Sequence, residues 1–424
     1  MTKRGAPSWW TLDNAAKIFP STSSSYDSKV FRFVCELHEP IDPQLLQAAL
    51  DKTVQRFPIY RAVIKKGWFW YYLEDSALPI QVRPESLPPC FPIYPSTRRS
   101  LLFRVLYYRN RISLEVYHAL TDGSGALNFL CTLVYEYLLL RCPDKLSQSV
   151  PALPYDASRF QRHTDSFQTY YEKPTGTFIK RSPAAYQIRG ERLPRKHLAI
   201  LEGRMLLEKA LACAKARGVT LTELMVAVLL WAIHAGMRVR DRKKPVVVTV
   251  PVNLRNYFPS ESARNFFATT NVSYDFSKGE DSLEAVLKAV RQSFRENLTE
   301  ERMRAHMNAL CALEHNVPLR LVPLPVKDII LWVANRLAKR GVTTSFSNVG
   351  KVSMPEEMEK LIHLFSVFTS AGMPQACACS FGGQYVVSFA SPYRTRETER
   401  VFFRELARMG LDVVLTTNLT PGRE

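Results

Sequence analysis

The chain has 424 residues, of which 46% are hydrophobic and 11% aromatic, so it is long enough to bury the core of two domains or of one large two-lobed unit. Its 57 lysines and arginines outnumber its 39 aspartates and glutamates, and the formal charge of +18 attracts polyanions in general without identifying one. The composition excludes a disordered chain. We find neither a secretory signal nor an apolar run of the roughly 20 residues that span a bilayer, the longest being residues 224–233.

The basic residues are concentrated in segments 180–196 and 238–244. We interpret both as solvated surface first, since no helix-turn-helix or aromatic stacking motif favours nucleic acid. A phosphorylated cofactor such as coenzyme A would be attracted by the same charge. The eight cysteines lack zinc-like spacing, even around the close pair Cys377 and Cys379, so we predict reduced thiols, no metal site and a cytoplasmic location.

The first 150 residues predict a mixed α/β region. Alternating apolar and polar residues over 28–37 predict a half-buried strand, after which Asp42 caps and Pro43 opens a helix. Further strands are predicted at 60–65 and 68–73, followed by a hairpin of 100–108 and 112–117 and a buried helix at 126–140.

Residues 151–197 are rich in proline, serine and basic residues, and we predict a connection between two lobes there. The second lobe, 198–424, begins with a strand, a helix that ends at Gly218 and an apolar helix capped by Thr220. A strand at 245–254, helices at about 281–312 and 326–339, and a hairpin at 380–390 follow. The fold class is therefore α/β with mixed sheets.

One motif stands at the exit of the predicted hairpin. His118 ends its second strand, and Asp122 and Gly123 follow at offsets of four and five residues. This pattern arises by chance about once or twice in a hundred chains of such composition. A histidine released from a strand end into a turn can act as a general base, although it can also be satisfied by local hydrogen bonds alone.

The segment HALTDG resembles the HxxxDG signature of the chloramphenicol acetyltransferase-like and condensation-domain superfamily. Residues 12–20 resemble the opening of its bacterial alcohol acetyltransferase-like members, 250–267 the strand and loop with a buried arginine, and 343–350 the stretch that borders the active site. Tyr117 stands where condensation domains usually have a second histidine, and the DFGWG signature of the plant enzymes has no clear counterpart. The departures favour a stand-alone acyltransferase.

The resemblance implies two lobes, each a mixed sheet backed by helices, with an active-site tunnel between them and His118 midway. The histidine would act as general base on a small-molecule alcohol that attacks the thioester of an acyl-coenzyme A, acetyl being the expected acyl group, without a covalent intermediate or a metal. Asp122 would turn away from His118 and pair with Arg255. Breaking that partly buried ion pair would cost about 3–5 kcal/mol.

Other residues have weaker assignments. Ser347 and Asn348 can donate to the oxyanion of the tetrahedral intermediate, or else bond to their own backbone. Gly123 is either required by the backbone conformation or by a close approach that a side chain would obstruct, or it is an ordinary turn glycine. Asn265 is interpreted as structural. Arg238, Arg240 and Lys243 are candidate contacts for the phosphates of coenzyme A.

Two alternatives stay open at this point. The first is a condensation-type enzyme that uses the thioester of an acyl carrier protein or an amine acceptor. The second is a non-catalytic, basic binding protein of the same fold. The sequence specifies neither the acceptor nor the oligomeric state.

Overall fold

The computed structural model describes residues 9–95, 97–144, 146, 150–151, 153, 166–172, 183–260, 264–315, 321–370 and 372–419. Much of the predicted connection at 151–197, including the start of the basic segment 180–196, lies outside the described residues. The boundaries of the two predicted lobes stay a prediction.

The strands alternate with helices along the chain. The strands are β1 (Trp9–Thr11), β2 (Val30–Leu37), β3 (Ala62–Lys66), β4 (Tyr71–Asp75), β5 (Val82–Pro84), β6 (Phe103–Tyr108), β7 (Arg111–Tyr117), β8 (Ala199–Leu206), β9 (Val246–Asn253), β10 (Phe267–Tyr274), β11 (Thr344–Lys351), β12 (Ile362–Thr369), β13 (Gln375–Phe381), β14 (Gln384–Ser391) and β15 (Val414–Thr417). The helices are α1 (Phe19–Thr22), α2 (Pro43–Arg56), α3 (Gly123–Arg141), α4 (Ser166–Thr169), α5 (Leu207–Ala216), α6 (Leu221–Ala235), α7 (Leu283–Asn297), α8 (Glu300–His315), α9 (Leu324–Lys339), α10 (Glu356–Glu359) and α11 (Glu397–Arg408).

Two large mixed sheets organise the molecule, as the sequence predicted. A five-stranded sheet has the order β12-β2-β7-β6-β5, and a seven-stranded sheet has the order β10-β9-β11-β13-β14-β8-β15. Helices α2 and α3 pack together beside the first sheet, and α6 packs against α7, α11 and β9 of the second. Each large sheet has its own cluster of buried apolar side chains, and a third, smaller cluster joins α8 to the ends of β9 and β10 in the described part of the chain.

One strand crosses from the second half of the chain to the first sheet. β12 pairs antiparallel with β2, placing Phe365 opposite Cys35 and Val367 opposite Phe33. The sequence reading missed β12, as it missed β10 and α11. An edge strand that closes the sheet of the other half ties the two predicted lobes together.

Several predicted elements are confirmed with their end signals. Asp42 accepts hydrogen bonds from the backbone of Gln44 and Leu45 at the start of α2. Thr220 and Glu223 form a capping box at the start of α6. The helix predicted at 281–312 is wrong as a single element: it breaks between α7 and α8, where the Thr299 hydroxyl accepts from the backbone of Arg302 and so begins a new helix.

Helix α3 is long and apolar enough by composition to cross a membrane, and 61% of that apolar window is buried inside the protein. It packs on α2 and β2. The helices α5 and α6 pass the same test only as a pair that is bent by 79°.

Candidate active site

His118 lies directly after β7, the middle strand of the five-stranded sheet. Its backbone N–H donates to the carbonyl of Lys29 at 2.8 Å, which joins the turn after β7 to the residue before β2. Lys29 has a φ of 57°, a left-handed conformation that costs a non-glycine residue about 1–2 kcal/mol. Strain of this kind is tolerated where the surroundings fix the chain, and here it fixes the backbone of the histidine.

The imidazole of His118 is held in one tautomer by Asn265. The Asn265 amide nitrogen donates to Asp13 Oδ2 at 3.0 Å and to the His118 carbonyl at 3.2 Å, and both of these groups only accept. The amide oxygen therefore faces His118 Nδ1, at 3.2 Å. Because that oxygen also only accepts, Nδ1 must carry the proton, and Nε2 is left as the unprotonated nitrogen.

Three aromatic rings surround the imidazole. Phe19 stacks on it at a centroid distance of 4.7 Å, Phe31 meets it edge-on at 5.0 Å, and Phe267 lies at 5.6 Å. Burial lowers the pKa of His118 below its ordinary value of 6.5, and it outweighs the opposing attraction of Asp122. The ring is therefore neutral at neutral pH, which is the state a general base requires.

Asp122 forms the ion pair with Arg255 that the family resemblance implied. Its Oδ2 accepts from Arg255 Nη1 at 2.8 Å and from the backbone of Phe266 at 2.9 Å. Its Oδ1 accepts from the backbone of Gly125 at 3.0 Å, so Asp122 is also the N-cap of α3. Both oxygens are thus engaged away from the His118 ring, and the residue holds the turn between β7 and α3.

Gly123 is not required by the conformation of the chain. Its φ lies outside the left-handed region, and an added methyl group would meet only Phe33 Cζ, at 4.0 Å. The expectation of a conformational need, or of a close approach by the protein itself, is wrong. Gly123 does line the cavity described next, so a larger side chain would occupy space there.

A cavity of about 340 Å³ lies between the two sheets, with His118 in its wall. Residues of β2 and β12 from the first sheet, and of β9, β11 and β13 from the second, line it. Its wall combines apolar rings with a few polar groups, which is the usual character of a small-molecule site. Nε2 of His118 has no hydrogen-bond partner among the described residues.

Ser347 and Asn348 both belong to β11 and border the cavity, but their side chains differ in availability. The Asn348 amide nitrogen donates to Thr222 Oγ1 at 2.9 Å, and its oxygen accepts from the backbone of Gly350 at 3.0 Å. The hydrogen bond to Thr222 connects β11 to α6. Ser347 has no such hydrogen bond in the described part of the chain, and it stays the better candidate donor for an oxyanion.

The lining of the cavity also carries a charged group that the sequence reading missed. Asp27 Oδ2 accepts from Lys29 Nζ at 2.7 Å and from Lys339 Nζ at 2.8 Å. Burial alone would raise the pKa of Asp27, but the two lysines lower it. Burial lowers the pKa of Lys29 despite Asp27. Asp27 Oδ1 is buried and has no hydrogen-bond partner among the described residues.

The three residues proposed for the cofactor phosphates lie elsewhere. Arg238, Arg240 and Lys243 are exposed in the segment that precedes β9, and none of them lines the cavity. Asp241 in the same segment pairs with Lys244 at 3.1 Å. A contact between this segment and coenzyme A stays a prediction.

Asp13 and Asn265 are the residues whose importance the sequence reading underestimated. Asp13 is 1% exposed and Asn265 2%, although both are polar. Asp13 lies within the stretch 12–20 that carried part of the resemblance, yet nothing in its spacing relates it to His118. Among the described residues, no group of three histidines, cysteines or acids could hold a metal ion.

No protein-family model matches the sequence, and no curated protein matches it either. Solved structures do match over nearly the whole chain. Polyketide synthase associated protein 5 from Mycobacterium tuberculosis is 14% identical with a TM-score of 0.58, covering 95% of this chain and 98% of its own. The first condensation domain of the CDA synthetase is 16% identical with a TM-score of 0.60, at 95% and 96% coverage. TRI101 from F. graminearum, complexed with coenzyme A and T-2 mycotoxin, is 11% identical with a TM-score of 0.62, at 96% and 99% coverage.

Proposed function

We propose that this chain, which has the two-lobed chloramphenicol acetyltransferase-like fold of condensation domains and of TRI101, is an acyltransferase. In this proposal an acyl group, acetyl in the simplest case, moves from the thioester of coenzyme A to the hydroxyl of a small-molecule acceptor. The observation that carries the proposal is that His118 lines the cavity while Asn265 Oδ1 lies 3.2 Å from its Nδ1, which leaves Nε2 to act as the base.

His118 Nε2 removes the hydroxyl proton as the acceptor oxygen attacks the thioester carbonyl. A hydroxyl is a poor nucleophile near neutral pH, and general-base catalysis of this kind contributes about 10²–10⁴-fold to a rate. The Asp13–Asn265 pair keeps Nδ1 protonated, so the lone pair stays on Nε2. The C–O bond forms as the O–H bond breaks, and the imidazole holds the proton.

The resulting oxyanion needs a donor, and the Ser347 hydroxyl is the proposed one. When the C–S bond breaks, the sulfur leaves with its electron pair and takes the proton from His118. The imidazole then returns to its neutral starting state, so no acyl group is carried by the protein. Asp122 and Arg255 take no part in the transfer and keep the turn in place.

TRI101 supports coenzyme A as the donor, because its structure contains coenzyme A together with T-2 mycotoxin. The condensation domain of the CDA synthetase has the same fold. Its similarity makes the thioester of a carrier protein the alternative donor. The polar groups of the cavity do not distinguish the two, since both donors present a thioester to the same histidine.

Thiol release tests the proposal. Purified protein is mixed with acetyl-coenzyme A and a panel of alcohols and amines, and free thiol is measured over time. We expect release with at least one alcohol, and a loss of about 10²–10⁴-fold in His118→Ala. His363→Ala is the matched control, because His363 is also half-buried but lies outside the cavity. Equal release by the wild type and His118→Ala contradicts the proposal. Release that occurs only with an acylated carrier protein would show that the donor is that carrier protein and not coenzyme A.

A further inference from the structure

Helix α9 places polar side chains toward the protein and apolar side chains toward solvent, the reverse of an ordinary surface helix. Its inward side carries polar residues: Lys327 is 1% exposed, and Asp328, Asn335 and Lys339 are half-buried. Its outward side is apolar at helical spacing, with Val326, Ile329, Ile330, Trp332, Val333 and Leu337 all between 42% and 64% exposed. A helix at the surface of a soluble protein normally places its apolar stripe against the core.

Specific contacts hold this orientation. Lys327 Nζ donates to the Phe69 carbonyl at 2.9 Å and lies 3.6 Å from the centre of the Trp70 ring. The Asp328 carboxylate accepts from Ser21 Oγ at 2.6 Å and from Tyr71 OH at 2.8 Å. The polar side of the helix is therefore satisfied by the protein, and rotating the helix to bury the apolar stripe would break these bonds.

The turn between β3 and β4 extends the exposed apolar stripe. Trp68 is 89% exposed and Phe69 45%, and the backbone N–H of Leu324 donates to the Trp68 carbonyl at 2.9 Å, which joins the turn to the start of α9. We name the two together the α9 surface: Trp68, Phe69, Leu321 and the outward residues of α9. It holds nine of the 17 large hydrophobic residues that are exposed in the described part of the chain. Such a concentration marks an interaction site.

The charge around the α9 surface is positive. Asp328 is the only acid in residues 324–340, and it is turned inward. Arg336 and Arg340 are exposed at the end of the helix, and Lys17 lies 5.1 Å from the centre of the Trp70 ring at the other end. The chain as a whole carries a formal charge of +18.

We propose that the α9 surface docks on an anionic lipid bilayer, with the helix lying in the plane of the interface. An apolar stripe flanked by basic residues, with tryptophans beside it, suits the boundary between headgroups and acyl chains. A folded protein partner fits less well, because specific protein interfaces carry about one hydrogen bond per 100–200 Å². The outward side of α9 offers only the Trp332 indole N–H and the Arg336 guanidinium for such bonds.

Vesicle binding by the full chain, without substrates, tests this inference independently of the acyl-transfer activity. We expect the wild type to sediment with vesicles of phosphatidylcholine and phosphatidylglycerol, more weakly with phosphatidylcholine alone, and more weakly as salt is added. The double variant Ile329→Asn with Val333→Asn should bind at least about tenfold less. Leu211→Asn is the matched control, because Leu211 is a helical leucine 48% exposed elsewhere on the surface. Circular dichroism verifies that each variant is folded.

A second measurement uses the wild type alone. Brominated lipids should quench the fluorescence of the exposed tryptophans when the protein binds the vesicles. Absence of wild-type binding to anionic vesicles, or undiminished binding by the double variant, overturns the inference. So does a wild-type dimer in solution that the double variant abolishes without any vesicle binding, because a second copy would then occupy the surface. Capture of an acidic carrier protein in place of vesicles would overturn it in the same way.

Discussion

Two groups of polar residues in the cavity lining, one around His118 and one around Asp27, differ in how completely they are paired. On the His118 side, Asp122 uses both carboxylate oxygens, and the Asn265 amide has partners for its nitrogen and its oxygen. On the Asp27 side, Lys29 and Lys339 both donate to Oδ2 of Asp27, while its Oδ1 has no hydrogen-bond partner among the described residues. A fully paired buried network fixes one geometry, whereas an incompletely paired one is suited to receive a ligand.

This difference separates residues that hold the site from residues that face a substrate. Substitutions on the His118 side should affect stability or the tautomer of the base. On the Asp27 side, substitution of the more exposed Lys339 should leave the fold nearly intact and act on substrate binding. Four measurements test the distinction.

The largest effect is expected from Asp122→Asn. The change removes the carboxylate charge that pairs with Arg255, whose side chain is only 16% exposed. We expect the free energy of unfolding to fall by about 3–5 kcal/mol, measured by chemical denaturation. Asp241→Asn, which removes the partner of exposed Lys244, should change it by less than about 1 kcal/mol. Equal effects of the two variants would show that the Asp122 pair is not a structural anchor.

Asn265→Ala should reduce activity through His118. Loss of the amide leaves His118 Nδ1 without its acceptor and removes one of the donors to Asp13, at a cost of about 1–3 kcal/mol. We expect kcat to fall by roughly 5–150-fold and the pH profile of kcat/KM to shift, because the tautomer is no longer fixed. Asn308→Ala, at a buried asparagine that bonds to the backbone of Glu172, is the control and should leave both readouts unchanged. An unshifted pH profile in Asn265→Ala would argue for a purely structural role.

The pH dependence of the wild type follows from the lowered pKa of His118. A general base is active when unprotonated, so kcat/KM should fall only as the pH drops through a pKa below 6.5. One unit below that value, an unperturbed histidine would retain about a tenth of its activity, and we expect the wild type to retain more. The profile should be flat above neutrality. A midpoint above 6.5 would contradict the claim that burial dominates the titration of this ring.

The smallest effect on stability is expected from Lys339→Met. Its side chain is 35% exposed, so its pair with Asp27 should contribute less than about 1 kcal/mol to unfolding. Because Lys339 lines the cavity, we expect KM for the acceptor or donor to change while the melting temperature stays nearly constant. Lys209→Met, at an exposed pair with Asp412, provides the control for loss of a surface lysine. A large loss of stability in Lys339→Met, with none in Lys209→Met, would show that the pair with Asp27 stabilises the fold.

Local signals in the sequence gave a good account of the elements that surround the site. The hairpin that ends at His118 and the helix caps at Asp42 and Thr220 each follow from neighbouring residues, and each is confirmed. The pairing of Asp122 with Arg255 came from the family resemblance and is present as well. The reading was weaker for β12 and for Asn348, whose positions depend on partners far away in the chain.

The sequence by itself determined the mixed α/β class and the turn that presents a histidine, because periodicity and end signals act between residues that are neighbours in the chain. Only the tertiary structure decided which nitrogen of His118 carries the proton, which lysines face the cavity and which side of α9 meets solvent. Those outcomes depend on contacts between segments separated by up to about 310 residues, such as Asp27 with Lys339, and no local pattern encodes such contacts.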